Sequence, residues 1–323
     1  MKMQFTRIAA ALAIAALALP LSAKEFRSSD VHPEDYPTVM AVKYMSDIIK
    51  QKTGGKDSIK VYVNSTLGSE KDTIEQTKIG ALDMVRVNVA PFNNIVPATI
   101  VPSLPFLFKS KEHMRRVLDG PIGDEILAAM EAQGFIGLAF YDSGSRSFYS
   151  GKKAIKNVAD TKGMKIRVQQ SDLWVALLQA MGANATPIPY AEVYTALKTG
   201  VVDGAENNEP TLFAQNHYQT PKGKVYSLTG HLIIPEIFVY SKASWDKLPK
   251  ADQDLIKKFS REAQIEQRGL WDAYVAEATG KLKAAGVKFV PADKEAFFKA
   301  TQPVRDKYGA KYASLIQRIR DTK

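Results

Sequence analysis

The chain has 323 residues, of which 45% are hydrophobic, a formal charge of +10 and no cysteine. Disulfides and thiol chemistry are therefore excluded, and an ordinary apolar core has to hold together a chain long enough for two lobes. Lysines and arginines are interleaved with acids and no RNA- or DNA-binding motif is present, so the charge reads as a solvated surface and no nucleic-acid partner is expected.

The N-terminus carries Lys2 and Arg7, an unbroken apolar run over 8–19, and then Pro20-Leu21-Ser22-Ala23. These are the charged, apolar and small-residue zones of a secretory signal, with cleavage expected after Ala23. Loss of the two positive charges leaves +8. The run is shorter than the roughly 20 apolar residues that span a bilayer, and no later stretch is as long or as apolar. The mature chain is expected to be exported and not to span the membrane.

Val42, Met45 and Ile49 recur at helical spacing until Thr53-Gly54-Gly55 stops them. Ile59, Val61 and Val63 then alternate with polar residues as a strand, a second helix is expected over about 70–82, and a second strand has Val85, Val87 and Val89 on one face and Arg86 and Asn88 on the other. This βαβ pattern makes the fold class α/β. Further on come a strand at 136–141 and a strand with Met164, Ile166 and Val168 on one face and Lys165, Arg167 and Gln169 on the other. A helix then carries Leu173, Ala176, Leu177 and Ala180, another surrounds Val193, Tyr194 and Leu197, and a short strand is expected at 201–202. A helix over 251–280, roughly 40 Å long, is long enough to brace both lobes. With no repeat and no Gly/Ser linker, the lobes are expected to be joined by strands and this helix and not by a tether.

In an open α/β sheet, ligands collect beyond the carboxyl ends of the strands. That picks out Arg167 with Gln169, Arg86 with Asn88, and Arg146 in the segment Gly144-Ser145-Arg146-Ser147-Phe148 that follows the 136–141 strand. A guanidinium holds a carboxylate through two parallel hydrogen bonds, which lysine does not reproduce. A single arginine is more often a surface ion pair of little worth, but three following strands point to recognition of an anion. Asn207 and Asn208, past the Asp203-Gly204 turn, offer donors and acceptors to hydroxyls, or else simply tolerate tight backbone. Glu70 accepts from ligand hydroxyls or suits the positive end of a helix dipole. His32, His113, His217 and His231 have no metal-ligand spacing, and there is no nucleophile elbow, phosphate loop or dinucleotide fingerprint. No metal or cofactor is expected, while a hydrolase using two carboxylates stays open. Trp174 and Trp271 are expected in the core; Phe92, Phe213 and Trp245 are the aromatics to examine beside a ligand ring.

Over about 26–308 the chain resembles the DctP-type solute-binding subunits of tripartite ATP-independent periplasmic (TRAP) transporters. The matching stretches are Leu67-Gly68-Ser69-Glu70, Gly80-Ala81-Leu82-Asp83-Met84, Leu104-Pro105-Phe106-Leu107-Phe108, Lys162-Gly163-Met164-Lys165-Ile166-Arg167-Val168, Ala196-Leu197-Lys198-Thr199-Gly200-Val201-Val202-Asp203-Gly204 and Leu228-Thr229-Gly230-His231. The resemblance implies a two-lobed periplasmic binding protein that closes over its ligand, is braced by the long shared helix, and docks on a membrane permease driven by an ion gradient. It implies binding and not catalysis. The expected lobes are 24–143 plus 232–271, and 144–231 plus 272–323.

By the same resemblance, Arg167 matches the arginine that clamps the ligand carboxylate, Arg146 a second arginine, and Asn207 an asparagine that touches the ligand. Glu70, Asn88 and the turn holding Asp30 and His32 fall where members vary with substrate. One departure stands out: Glu206-Asn207-Asn208-Glu209-Pro210 replaces the family's Glu-Asn-Pro. That segment and Pro235-Glu236 are similar to members that bind hexuronic acids. Such a ligand would give one carboxylate to Arg167 and its hydroxyls to Glu70, Asn88, Gln169, Asn207 and Asn208. Glucuronate or galacturonate is therefore the expected ligand. A C4-dicarboxylate or keto acid, a periplasmic sugar-acid enzyme and a sensory binding component are the competing readings.

Overall fold

Residues 23–151 and 153–323 are described in the computed structural model of the chain, so the expected secretion signal, apart from Ala23, lies outside the described residues. β1 (Lys24–Ser29) leads to α1 (Pro37–Lys52), which starts on a proline whose missing N–H costs nothing there and buries Val42, Met45 and Ile49. β2 (Asp57–Tyr62), α2 (Glu70–Lys78) and β3 (Met84–Asn88) complete the βαβ pattern, with β1 parallel to both other strands. Ser69 and Asp72 cap the start of α2 reciprocally. The helix ends earlier than its apolar spacing suggests, because Gly80 takes a left-handed φ of 79° two residues beyond Lys78. Both faces of β3 are buried.

After α3 (Lys111–Asp119) and α4 (Pro121–Ala129) comes β4 (Phe135–Ser150). Here the sequence reading is corrected: the strand expected to stop at Tyr141 continues for 16 residues through Arg146. Its partner β8 (Val225–Ser241) is 17 residues long and antiparallel to it. The Gly144-Ser145 pair resembles a strand end, but it sits at a register shift between Asp142 and Ser145, with Gly144 at φ 64°. A bulge of this kind bends a strand without ending it. The first half of β4 pairs with the second half of β8, which borders β3; its second half borders β7 (Gly204–Asn207).

Beyond β4 come β5 (Lys165–Val168), α5 (Asp172–Ala180), β6 (Asn184–Pro187) and α6 (Val193–Thr199), followed by β7 and α7 (Glu209–Ala214). No strand forms at 201–202; pairing starts two residues later, at Gly204. Gly204 is required there, since a Cβ would lie 2.4 Å from the Tyr149 carbonyl. The sheet order is β2-β1-β3-β8-β4-β7-β5-β6, with β9 (Lys288–Pro291) beside β8.

Past α8 (Lys242–Trp245), the long helix is α9 (Lys250–Ala284), 35 residues and about 52 Å at 1.5 Å per residue. It packs on α1, β4 and α7 and so braces both lobes. Three short helices, α10 (Lys294–Ala300), α11 (Gln302–Gly309) and α12 (Ala313–Asp321), finish the chain. α11 lies on α5 and α12 on α4, where His113 Nε2 donates to the Ile319 carbonyl at 2.9 Å. The C-terminal helices thus touch both α4 and α5. Trp174 and Trp271 are core, as expected. Among the described residues, no helix is long and apolar enough to cross a membrane.

His32, His217 and His231 are buried, and burial is the leading cause that lowers the pKa of each. His217 falls to about 3, with its Nδ1 hydrogen-bonded to the Tyr149 hydroxyl at 2.8 Å. The unfolded chain takes up this proton at a pH of about 6.5, so the stability contribution is complete above that pH and declines as the pH falls toward 3. The unfolding midpoint is expected to drop further between about pH 7 and about pH 5 in the wild type than in His217→Gln, the difference reaching up to about 1.4 kcal/mol per pH unit. Equal declines in both proteins would contradict this.

Candidate functional site

The carboxyl ends of β3, β5 and β7 converge on the middle of the β4–β8 pair, and two small adjoining cavities lie there. Period-two alternation explains what faces them. In β3 the odd-numbered valines pack into the core while Arg86 and Asn88 turn toward the cleft side, and in β5 Ile166 and Val168 are core while Arg167 and then Gln169 turn the other way. The first cavity is lined by His32, Glu70, Asn88, Arg146, Gln169 and Asn207, the second by Glu70, Arg167 and Gln169. Asn208 lines neither.

The three arginines that look alike in sequence have different surroundings. Arg86 is enclosed by carboxylates: Nε and Nη2 donate to Asp30, Nε at 2.7 Å, and Nη1 donates to Glu236 at 2.6 Å. Arg146 forks onto Glu206 through Nε at 2.7 Å and Nη2 at 2.8 Å, gives Nη1 to Asn207 Oδ1 at 2.7 Å, and lies over the Trp174 ring. Burial pushes the Glu206 carboxyl up, but the Arg146 guanidinium outweighs it and holds the pKa below the ordinary value. Arg167, only 2% exposed, makes one hydrogen bond, from Nε to the Ile188 carbonyl at 2.9 Å, and no ion pair among the described residues. Burial lowers its pKa below that of an ordinary arginine. A buried charge without a partner is costly, and Arg167 is the guanidinium of the three that still has its fork to offer.

The remaining polar groups divide by what they still have free. Glu70, although the first residue of α2, reaches across the cleft: Oε1 accepts from the Asn88 N–H at 2.8 Å and Oε2 from Gln169 Nε2 at 3.1 Å. Burial is the leading cause that raises its pKa. Gln169 Oε1 is buried and has no partner. The Asn88 amide donates one N–H of Nδ2 to Glu236 and accepts at Oδ1 from the Ala90 N–H, which leaves its second N–H. Asn207 Oδ1 accepts from Arg146 and from the Asn208 N–H, which leaves its Nδ2 for a ligand. Asn208 caps α7, accepting from the Thr211 N–H at 2.8 Å and donating Nδ2 to the Ser143 carbonyl at 2.8 Å. For this residue the expectation of a ligand amide gives way to a helix cap.

His32 stacks on Tyr36 at 3.7 Å and bonds Tyr190 through Nδ1 at 2.8 Å. Tyr190 lines both cavities and carries no sequence signal beyond a tyrosine after a proline-rich turn. Phe92, Phe213 and Trp245 line neither cavity: they pack on Phe135, Tyr218 and Tyr240. No group of three or more His, Asp or Glu able to hold a metal occurs among the described residues. A larger groove between 104–107 and 302–320 is lined by none of these cleft residues.

Comparison with known proteins agrees with this geometry. Residues 28–311 match the DctP family of bacterial extracellular solute-binding proteins, family 7. The chain is 40% identical over 300 residues to a solute-binding protein of Chromohalobacter salexigens, covering 93% of this chain and 89% of that one. It is similar, with a TM-score of 0.90 and 53% identity, to a TRAP periplasmic solute binding protein from Bradyrhizobium sp. in complex with α/β-D-galacturonate, covering 93% of this chain and 100% of that one. A TRAP periplasmic solute binding protein from Citrobacter koseri, 44% identical, matches with a TM-score of 0.90 when D-glucuronate is bound and 0.81 in its apo, open structure. The first covers 93% of this chain and 100% of that one, the second 92% and 98%. The backbone described here is therefore nearer the ligand-bound arrangement than the open one. The chain belongs to the family 7 extracellular solute-binding proteins, the periplasmic subunits that present a small acid to a TRAP membrane permease.

Proposed function

We propose that the ligand is a hexuronate, glucuronate or galacturonate, held by its carboxylate on Arg167. The observation that carries this reading is the contrast among the buried arginines: Arg86 and Arg146 have carboxylate partners, and Arg167 has none. One free fork fits one carboxylate. Around it, Glu70 and Gln169 Oε1 accept from hydroxyls, while Asn207 Nδ2 and the one N–H of Arg146 not already donated supply donors. Asn208 contributes indirectly, through its N–H on Asn207 Oδ1. A C4-dicarboxylate would need a second free cation, and Arg86 and Arg146 are both occupied. The galacturonate and glucuronate held by the Bradyrhizobium and Citrobacter proteins support the same choice.

The lobes we assign are 24–143 plus 232–271 and 144–231 plus 272–323, with the register shift of the β4–β8 pair at 142–145 between them. Ligand bridging both would bias the protein toward closure. A micromolar complex corresponds to about 8 kcal/mol, and two or three charge-assisted hydrogen bonds at roughly 1.5 to 3 kcal/mol each supply much of that before ordering costs.

In a thermal-shift series, galacturonate or glucuronate at about 100 times its Kd should stabilise the mature protein by about 2.7 kcal/mol, and succinate should not. A shift with succinate and none with either uronate would contradict the reading. Arg167→Ala should weaken uronate binding at least tenfold, about 1.4 kcal/mol, with unfolding stability unchanged or raised. Arg86→Ala strands Asp30 and Glu236 and should cost about 3–5 kcal/mol of stability in a denaturant titration. Equal losses of stability in the two variants would mean that Arg167 is paired after all.

A further inference from the structure

We infer that Glu70 makes the cleft select ligands with a single carboxylate and reject those with two; the inference rests on the hexuronate reading above. The two walls carry unequal charge. Asp30, Glu70 and Glu236 stand on the first lobe with Arg86 as their one cation, while the second lobe sets Glu206 against Arg146 and leaves Arg167 free. Asp30 and Glu236 divide Arg86 between them. Glu70 makes no ion pair among the described residues: its two hydrogen bonds come from the Asn88 N–H and from Gln169 Nε2. Both are accepted from N–H donors, so neither needs a proton on the carboxyl; burial favours that proton, and the Asn88 N–H and the Arg86 and Arg167 guanidiniums oppose it. Glu70 is 7% exposed and lines both cavities, so a ligand anchored on Arg167 meets it.

This polarity explains how one site favours a sugar acid over a diacid of similar size. With its carboxylate on Arg167, a hexuronate turns hydroxyls toward Glu70, and the carboxylate oxygens there retain lone pairs to accept from them. A second carboxylate in the same place is an acceptor facing an acceptor, and a like charge brought into a buried wall already short of cations. Rejection by an unpaired charge is a recognised route to specificity.

Glu70→Gln removes the charge with little change of shape. Its amide oxygen continues to accept from the Asn88 N–H, and a flip of the Gln169 amide turns the Oε1 that now lacks a partner toward the new amine. The test is calorimetric titration of wild type and Glu70→Gln with galacturonate, galactarate and galactonate. Galactonate shares the open chain of galactarate but carries one carboxylate, so the ratio of the two affinities isolates charge from shape. Relative to wild type, Glu70→Gln is expected to raise the galactarate-to-galactonate ratio at least tenfold and to weaken galacturonate several-fold. Retained galacturonate binding serves as the check that the variant is folded. An unchanged ratio, or no measurable binding of galactarate to the variant, overturns the inference while leaving the hexuronate reading intact. A wild type that binds no hexuronate removes that reading, and this inference with it.

Discussion

A buried guanidinium with no carboxylate to answer it is the constraint around which this cleft is arranged. Taking a charge out of water costs several kcal/mol unless something opposite replaces the lost hydration. Two of the three arginines near the cleft recover that cost within the protein, Arg86 through Asp30 and Glu236 and Arg146 through Glu206. Arg167 does not, and its surroundings keep it that way. Its Nε is pinned to the Ile188 carbonyl and its strand is fixed between β6 and β7, so the side chain is held toward the cleft. In the proposed reading, the ligand carboxylate supplies the missing charge.

In the proposed reading the two walls close over the ligand, and the chain joins them without a loose tether. β4 and β8 pair along their whole length with a register shift at 142–145, and α9 packs on α1, β4 and α7. Polar contacts across the cleft include Glu70 with Gln169, His32 with Tyr190, Asn93 with Ser171 at 3.0 Å and Asn208 with Ser143 at 2.8 Å. Single hydrogen bonds of this kind are worth about 1 kcal/mol net.

Much of this was legible in the sequence because it depends on local periodicity. The alternation in 164–169 puts Arg167 and Gln169 on the side opposite Ile166 and Val168, and the long helix is plain from its lack of breakers. The pairing of the arginines was not legible, because the partners come from far along the chain: Asp30 lies 56 residues from Arg86, Glu236 lies 150 from it, and Glu206 lies 60 from Arg146. The run of β4 through Gly144-Ser145 was hidden because a bulge and a turn draw on the same residues. For Asn208, capping and ligand binding both favour asparagine, and only the position of α7 separates them.

The most direct measurement is a cycle that changes both members of the central contact: galacturonate against galactose, which has a hydroxymethyl group in place of the carboxylate, titrated into wild type and Arg167→Ala. The account predicts that the wild type prefers galacturonate by at least about a hundredfold, about 2.8 kcal/mol, and that Arg167→Ala loses most of that preference. A preference that survives intact in Arg167→Ala would mean that the ligand carboxylate is held elsewhere, and would contradict the account.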